Sequence, residues 1–349
     1  MGKSLAVLLV SALSLLTVSS AFAGSRVKTD IVYLQNGDKI TCEIKSLSQG
    51  QLTVSADYTS GSIVIDWSKI DRIKSSQQFV VTDPAGVVHT GTLEGDRVTK
   101  TLTVAGEEGT STISAVNVIE IDQLGTTFIK RLRGDVDLGL SFARSNSQRN
   151  LTLQSDFGYQ SPQYLFGLNT STQYATQQKT TNTNETSIKS SGFKQLRSSA
   201  WYGGGIGNFL SSTEQKIDLR TTVGAAIARR QIFTNKTNLN FIGGLAYTVQ
   251  KNEANTTSTS QNNSLDGALA VQYSTFRFDS MTFDTVFWVY PGITSAGRVR
   301  MTFNQNIYYK FLGDFYVRFS FYDNYDNQPV VGAPTNNLGG TTTLGWSFH

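Results

Sequence analysis

From Gly134 onwards, apolar and polar residues alternate in successive segments of about ten residues. Because neighbouring side chains of a strand point to opposite faces, this pattern predicts β-strands with one apolar face each. The last segment ends in two large aromatics, and its predicted apolar face consists of Thr342, Leu344, Trp346 and Phe348. A terminal strand of this kind fits a closed sheet, in which the last strand pairs with the first.

The same alternation predicts about twelve strands in this part of the chain. Their expected ranges are 134–145, 148–160, 163–176, 184–195, 200–211, 215–230, 237–251, 263–275, 280–291, 297–310, 314–326 and 338–348. Linkers after odd-numbered strands are mostly long and polar, as at 177–183 and 327–337, whereas those after even-numbered strands are short, as at 161–162. Long loops on one rim and tight turns on the other are typical of outer-membrane barrels.

Composition favours such a barrel over a soluble β-sandwich, whose strands also alternate. The chain is only 39% hydrophobic and 16% charged, with 31 glycines, as expected when alternate residues face lipid. Sandwich strands usually run to about five or six residues, and the predicted strands are longer. Aromatic residues also cluster near both ends of the predicted strands, where the two membrane interfaces would lie.

The N-terminus has the pattern of a secretory signal peptide. Lys3 precedes an apolar run at 5–18, and an A-x-A motif ends at Ala23. The run is shorter than the roughly 20 residues that a spanning helix needs, which disfavours a membrane anchor. Cys42, the single cysteine, lies too far from the cleavage site to carry a lipid and cannot form an intramolecular disulfide. We therefore predict a signal peptide at 1–23.

Residues 24–128 form a β-rich region built from a tandem repeat. The first copy begins D-I-V-Y-L-Q-N-G-D at Asp30, and the second begins F-V-V-T-D-P-A-G at Phe79. Equivalent apolar residues such as Ile44 and Leu93 are separated by about 48 to 50 positions. Each copy is too small to bury much core alone, so we expect the copies to share one sheet system or to pack as paired small barrels.

The residues that usually carry catalysis are scarce. There are two histidines, His89 in the repeat region and His349 at the end, so a Ser-His-Asp site within the barrel would lack its imidazole. Cys42 aligns with Gly91 of the second repeat copy, which indicates a small-residue position and not a functional thiol. No cluster of His and Cys has zinc-ligand spacing. We predict a non-enzymatic protein without a cofactor or a metal.

Charged residues on the predicted inward face are the candidate functional set. They are Asp135, Asp137, Asp156, Asp218, Arg220, Arg230, Asp266, Asp284, Arg298, Arg300 and Arg318. One interpretation is a network of ion pairs, since unpaired buried charge is costly. The other is a lining that selects a small polar or ionic solute. The presence of both signs favours the network at most of these positions.

Two stretches resemble known sequences. The repeat contains L-x-N-G-D-x-I-T from Leu34, and the barrel region contains D-L-R-T-T-V-G-A at 218–225. With these runs, residues 134–349 resemble the YdiY-like, salt-induced outer-membrane proteins, a family of barrels without an assigned activity. The resemblance implies an outer-membrane location and a role in the salt or osmotic response, and it brings no catalytic residues.

The final strand also resembles the insertion signal that the barrel-assembly machinery reads. Thr341, Trp346 and Phe348 match the polar residue and the two aromatics of that signal. Thr343 stands where glycine is usual, and His349 follows the aromatic that normally ends the chain.

We thus predict an all-β chain that serves as a small channel or a structural envelope component. The alternative is a binding protein that recognises an envelope glycan or a periplasmic protein through its repeat or its loops. Expected partners are outer-membrane lipid and the assembly machinery, with no nucleic acid and with the chain as a monomer. The predicted parts are a signal peptide (1–23), a small periplasmic β-repeat domain (24–128), a linker (129–133) and an antiparallel transmembrane β-barrel (134–349).

Replacing both terminal aromatics should impair assembly. We expect Trp346→Ala with Phe348→Ala to lower the membrane level of folded protein far more than Tyr322→Ala with Tyr325→Ala, because only the first pair lies in the assembly signal. Heat-modifiable gel migration of membrane fractions measures the folded level. Equal levels of the two double variants would contradict this interpretation of the terminus.

Overall fold

A computed structural model describes residues 28–107, 109–124, 132–143, 148–160, 163–176, 182–197, 200–252, 262–278, 281–312 and 315–348. Strands dominate these residues, with short 3₁₀ turns at Trp67–Lys69 and Ala115–Asn117. Within the described ranges, no helix has the length and apolar character needed to cross a membrane. The predicted signal peptide at 1–23 lies outside the described residues.

Nine strands form one sheet in the N-terminal part of the chain. They are β1 (Asp30–Leu34), β2 (Lys39–Ser48), β3 (Gln51–Ser55), β4 (Ser62–Asp66), β5 (Ile70–Thr82), β6 (Val88–Asp96), β7 (Thr101–Gly106), β8 (Gly109–Ser114) and β9 (Glu120–Gln123). β1 and β9 each pair with both β2 and β5, so these four strands close into a small barrel. β3 and β4 extend the sheet from β2, and β6 to β8 extend it from β5. Of the two expected arrangements, the shared sheet system is the one found.

The two repeat copies occupy equivalent places in this sheet. Asp30 pairs with Cys42 in the first copy, and Phe79 pairs with Gly91 in the second. The two 3₁₀ turns also correspond, and one residue connects them. Trp67 donates a hydrogen bond of 2.7 Å from its indole Nε1 to the carbonyl oxygen of Ala115. One apolar core therefore serves both copies, with buried members that include Val32, Ile44, Leu52, Ile73, Val81, Leu93, Leu102 and Ile121.

Cys42 is fully buried in this core. Burial raises the pKa of its thiol to about 12, and the carboxylates of Asp30 and Glu43 add to the effect. At the equivalent position Gly91, a Cβ atom would lie 2.3 Å from the carbonyl oxygen of Ala105. Both copies thus require a small residue at this point of the sheet.

Twelve further strands form a closed antiparallel barrel, as predicted. They are β10 (Leu132–Ala143), β11 (Gln148–Gln160), β12 (Tyr164–Thr176), β13 (Thr183–Gln195), β14 (Trp201–Ser212), β15 (Ile217–Phe233), β16 (Thr237–Asn252), β17 (Asn262–Phe278), β18 (Met281–Pro291), β19 (Val299–Leu312), β20 (Phe315–Asp326) and β21 (Asn336–Phe348). β10 begins at Leu132, so the expected linker at 129–133 overlaps the first barrel strand. β15 and β17 each continue three residues beyond their expected ends.

The barrel closes where β21 pairs with β10. Val136 lies opposite Trp346, and Leu138 lies opposite Leu344. Since β21 also pairs with β20, the terminal strand is bonded on both sides and leaves no open edge in the barrel. The segment with the terminal aromatics is therefore the strand that completes the barrel.

The faces of the barrel are inverted relative to a soluble protein. Exposed outward residues are large and apolar, including Leu138, Leu151, Val223, Ile227, Leu245, Leu269, Phe319, Phe321 and Leu344. Buried inward residues are largely polar, including Thr152, Gln154, Thr222, Thr248, Gln250, Ser264 and Thr343. An apolar outer face around a polar interior suits hydrocarbon as the surrounding solvent. The barrel is a transmembrane barrel.

The buried thiol gives a test of the N-terminal fold. A pKa raised from 9.0 to about 12 leaves roughly a thousandfold less thiolate at neutral pH. We expect Cys42 in folded protein to resist maleimide at pH 8 and to react readily once urea unfolds the domain. Ser60→Cys in a Cys42→Ala background is the exposed control and should react at once. Rapid labelling of Cys42 in the folded protein would contradict its placement.

Candidate functional site

The barrel interior holds almost all of the predicted charged set. Two clusters of ion pairs occupy it, one near the rim with short turns and one near the rim with long loops. The inward members of the predicted set are Asp135, Asp137, Asp156, Arg220, Arg230, Asp266, Asp284, Arg298, Arg300 and Arg318.

Asp218 does not join the predicted inward set. Its side chain is about half exposed and forms an ion pair of 2.8 Å with Lys251, an exposed residue on the outer face of β16. The cause is a β-bulge between Ile217 and Leu219, in which Asp218 is the extra residue. The bulge shifts the alternation by one position, and sequence reasoning that assumed unbroken alternation placed Asp218 inside.

Arg318 is the centre of the cluster near the short turns. One guanidinium nitrogen lies 3.0 Å from Asp137, 2.9 Å from Asp156 and 4.0 Å from Asp135. The other donates a hydrogen bond of 3.1 Å to Gln154. Arg318 is 1% exposed, so these carboxylates supply the counter-charge that a buried guanidinium requires.

Aromatic rings complete the surroundings of Arg318. Its guanidinium carbon lies 4.5 Å from the ring centre of Tyr308 and 5.9 Å from that of Tyr316. The two rings meet edge to face at 5.4 Å. Since an aromatic face attracts a cation, the rings hold Arg318 in place while its forked end contacts the carboxylates.

The cluster near the long loops begins with Arg300 and Asp266. These two form a close ion pair, and both also bond to Thr248: Arg300 donates to its hydroxyl at 2.8 Å, and the hydroxyl donates to Asp266 at 3.0 Å. Ser264 donates a further hydrogen bond of 3.0 Å to Asp266. The pair is almost fully buried, and its hydrogen bonds offset part of the cost of desolvation.

Asp326 extends this cluster across the lumen. Arg298 contacts it at 2.6 Å, and Arg220 contacts it at 3.5 Å. Arg220 lies on β15 and Asp326 on β20, five strands away around the barrel. Gln250 connects the two arginines, since its amide oxygen accepts bonds of 2.9 Å from Arg220 and 3.4 Å from Arg298. These contacts link strands on opposite sides of the barrel and narrow its lumen.

Sequence reasoning missed several inward charges. Asp326 could have been found, since it is in phase with Arg318 on the same strand. Glu185 accepts bonds of 3.0 Å from Ser212 and 2.9 Å from Asn337. Glu185 lies on β13, whose sequence has no clear apolar face. The sequence therefore does not indicate which side chains of this strand point inwards.

A cavity of about 550 Å³ lies between the Arg318 cluster and the N-terminal domain. Its lining includes Asp156, Asp284, Arg230 and Lys310 of the barrel, and Trp67 of the domain. Asp156 and Asp284 lie on one half of the wall, and Arg230 lies on the other half. The cavity therefore combines carboxylates, cations and an aromatic ring at one end of the barrel.

The N-terminal domain approaches the short-turn rim closely. A Cβ atom at Gly50 would lie 2.6 Å from the carbonyl oxygen of Asn235, in the turn between β15 and β16. A Cβ atom at Gly86 would lie 2.8 Å from Nε2 of Gln195 at the end of β13. A second cavity, of about 310 Å³, lies towards the opposite rim and is lined by Glu185 and other residues.

Neither a metal centre nor a hydrolytic triad is assembled in the part of the chain that the structure describes. No group of three or more His, Cys, Asp or Glu residues there could hold a metal ion. His89 lies in the N-terminal domain, where Nε2 is 3.7 Å from a carboxylate oxygen of Asp83. Among the described residues, the barrel interior brings carboxylates and cations together and contains no histidine.

Two of the three predicted assembly residues have described side chains. Thr341 faces inwards on β21, and Trp346 faces outwards with 41% of its surface exposed. The side chain of Phe348 and the whole of His349 lie outside the described residues.

The closed barrel, its apolar outer face and its charged interior define a transmembrane β-barrel of the outer-membrane type. The family model described as "Protein of unknown function, DUF481" matches residues 136–348, and the chain belongs to that family. No curated protein matches the chain.

Several solved structures share the barrel architecture. The NanC porin matches with a TM-score of 0.39 and 12% identity over 62% of this chain and 99% of its own. The KdgM porin, solved with disordered oligogalacturonate, has a TM-score of 0.35 and 10% identity over 62% and 99%. The translocator domain of the autotransporter NalP from Neisseria meningitidis has a TM-score of 0.34 and 13% identity over 62% and 86%. Likeness at this level gives no argument about solutes or partners.

Removing the central arginine should destabilise the barrel. We expect Arg318→Met to lower the free energy of unfolding by about 3–5 kcal/mol, because it leaves Asp137 buried without its counter-charge. Lys251→Met, which removes an exposed cation from the outer face, is the control and should be nearly neutral. Urea titration of barrels in lipid vesicles measures both, and equal losses would contradict the central role of Arg318.

Proposed function

We propose that this protein is an outer-membrane channel for small polar or ionic solutes. The observation that carries the proposal is the cavity of about 550 Å³ at the short-turn end of the barrel, lined by charges of both signs. A polar cavity within a barrel whose outer face is apolar gives a solute a hydrated place at membrane depth. Charged linings of this kind select among solutes by their charge.

The ion pairs that cross the lumen would set the size limit of this channel. Arg220 reaches Asp326 from the far wall at 3.5 Å, and Arg318 contacts Asp156 at 2.9 Å on the other level. Because ion pairs join strands of the wall at two levels along the barrel axis, only small solutes would pass. The charged residues would thus form structural ion pairs and also line the lumen. This proposal combines the ion-pair network and the solute-selecting lining that the sequence left open.

We also propose an orientation. The first strand begins, and the last strand ends, at the short-turn rim, beside the N-terminal domain. Tight turns face the periplasm in outer-membrane barrels. On this basis residues 1–23 are a cleaved signal peptide, the repeat domain lies in the periplasm, and the long loops face outwards.

The resemblance to the YdiY-like, salt-induced proteins supports a role in the salt or osmotic response. Such a role suits a narrow channel, because a cell that adjusts its solute content needs a controlled path for small polar molecules. Raised abundance of the protein after growth in added sodium chloride would support this part of the proposal, and unchanged abundance would oppose it.

A second candidate function is recognition of a periplasmic partner or an envelope glycan. It is favoured by the two ends of the N-terminal sheet, since β4 pairs only with β3 and β8 pairs only with β7 among the described strands. An exposed sheet edge can accept a strand from another protein.

Conductance of the refolded protein in planar bilayers tests the channel directly. We expect discrete single-channel openings from the full chain. Arg220→Ala should increase their size, because it removes the contact with Asp326 across the lumen while Arg298 still neutralises that carboxylate. Lys251→Ala, on the outer face, should leave the conductance unchanged. Absence of conductance in the full chain, in Arg220→Ala and after deletion of residues 24–128 would rule out a channel.

A further inference from the structure

The short-turn rim carries a concentration of positive charge between β13 and β16. Lys194 on β13 and Arg229 on β15 point outwards, towards the membrane. Arg197 lies after the end of β13, and Lys236 lies in the turn after β15, where it also lines the cavity beside the N-terminal domain. All four side chains are exposed, even with the N-terminal domain in place. We call these four residues the cationic arc.

No carboxylate balances the cationic arc along its own strands. The sequence from 186 to 213 and the sequence from 219 to 251 contain neither aspartate nor glutamate. In the N-terminal domain, Glu120 interacts electrostatically with the inward Arg230, and Asp83 lies 3.7 Å from His89. In these two ranges, the charged side chains at the short-turn rim are therefore all positive.

Aromatic rings hold the outward cations at the membrane interface. Nζ of Lys194 lies 5.6 Å from the ring centre of Tyr164, and the guanidinium carbon of Arg229 lies 5.3 Å from the ring of Trp201. Both rings are nearly half exposed on the outer face. Tyrosine and tryptophan concentrate at the depth of lipid headgroups, so their positions place the two cations at that depth.

The opposite rim offers a contrast within the same strands. Lys251 also points outwards, at the long-loop end of β16, but it pairs with Asp218 at 2.8 Å. An outward cation on this barrel is thus not always available to a ligand. Lys194 and Arg229 differ from Lys251, because each lies beside an aromatic ring at the short-turn rim and not beside a carboxylate.

We propose that the cationic arc binds anionic phospholipid headgroups in the leaflet on the short-turn side. The phosphodiester of phosphatidylglycerol supplies the negative charge that the arc lacks, and lysine and arginine donate hydrogen bonds to its oxygens. The acyl chains lie against the apolar strand faces beneath. Bound lipid would thereby fix the depth of the rim beside which the N-terminal domain lies. This inference rests on the barrel being in a membrane and does not depend on the channel proposal.

The test measures phosphatidylglycerol bound to the purified full chain. Protein is reconstituted in phosphatidylcholine vesicles with and without phosphatidylglycerol, extracted mildly, and its retained lipid is counted by native mass spectrometry. We expect phosphatidylglycerol to be retained preferentially. Lys194→Gln with Arg229→Gln should weaken retention about fivefold for each cation removed, and added salt should weaken it in the wild type.

Matched variants keep the result interpretable. Lys251→Gln removes an outward cation of the opposite rim and should retain phosphatidylglycerol like the wild type. Heat-modifiable migration reports whether each variant folds. If the double variant fails to fold, Arg197→Gln, outside the strands, takes its place with an expected loss of about fivefold.

Equal retention of phosphatidylcholine and phosphatidylglycerol by the wild type would overturn the proposal. Unchanged retention in the arc variants, or an equal loss in Lys251→Gln, would overturn it too. Displacement of the lipid by inorganic phosphate at similar concentration would also overturn it, because that result would define a phosphate site and not a lipid site. Loss of conductance alone bears on the channel and leaves this inference unaffected.

Discussion

The pairing of β21 with β10 is the contact on which the rest of this structure depends. In hydrocarbon, every backbone amide and carbonyl needs a partner within the protein, and a sheet meets that demand only when it closes. The alternation of side chains then sorts the chain into a lipid face and an interior. Val136 and Trp346 lie opposite each other on the lipid face, while Asp137 turns into the lumen one residue away.

Closure has a second consequence, which is electrostatic. Charges that cannot face lipid are gathered inside, where water is scarce and an unpaired charge is costly. Arg318 meets this constraint with carboxylates and aromatic rings, and Asp326 meets it with Arg298 and Arg220. The same pairs that stabilise the walls also narrow the lumen. Stability and the width of the lumen are therefore coupled in this barrel, because a change that widens the lumen removes ion pairs that stabilise the walls.

The short-turn rim is where the two parts of the chain approach each other. The N-terminal domain approaches the rim at Gly50 and Gly86, and the cavity lies between the domain and the Arg318 cluster. On the outside of the same rim lie Lys194 and Arg229, each over an aromatic ring. The domain, the lumen and these outward cations thus lie near the same short turns.

The alternation of apolar and polar residues specifies the period, the strand number and the face of most barrel residues, because it is a local property of each strand in a closed sheet. The sequence specifies more than this alternation. It also determined the repeat, whose equivalent residues recur at a steady spacing. Which charged side chains lie in contact depends on the tertiary structure. Arg220 and Asp326 lie five strands apart, and no local pattern pairs them. Asp218 lies outside the lumen because a β-bulge adds one residue to its strand. The alternation of the sequence does not reveal this bulge. The face on which a residue lies depends on its position along its own strand, whereas a contact across the lumen forms only after the sheet has closed.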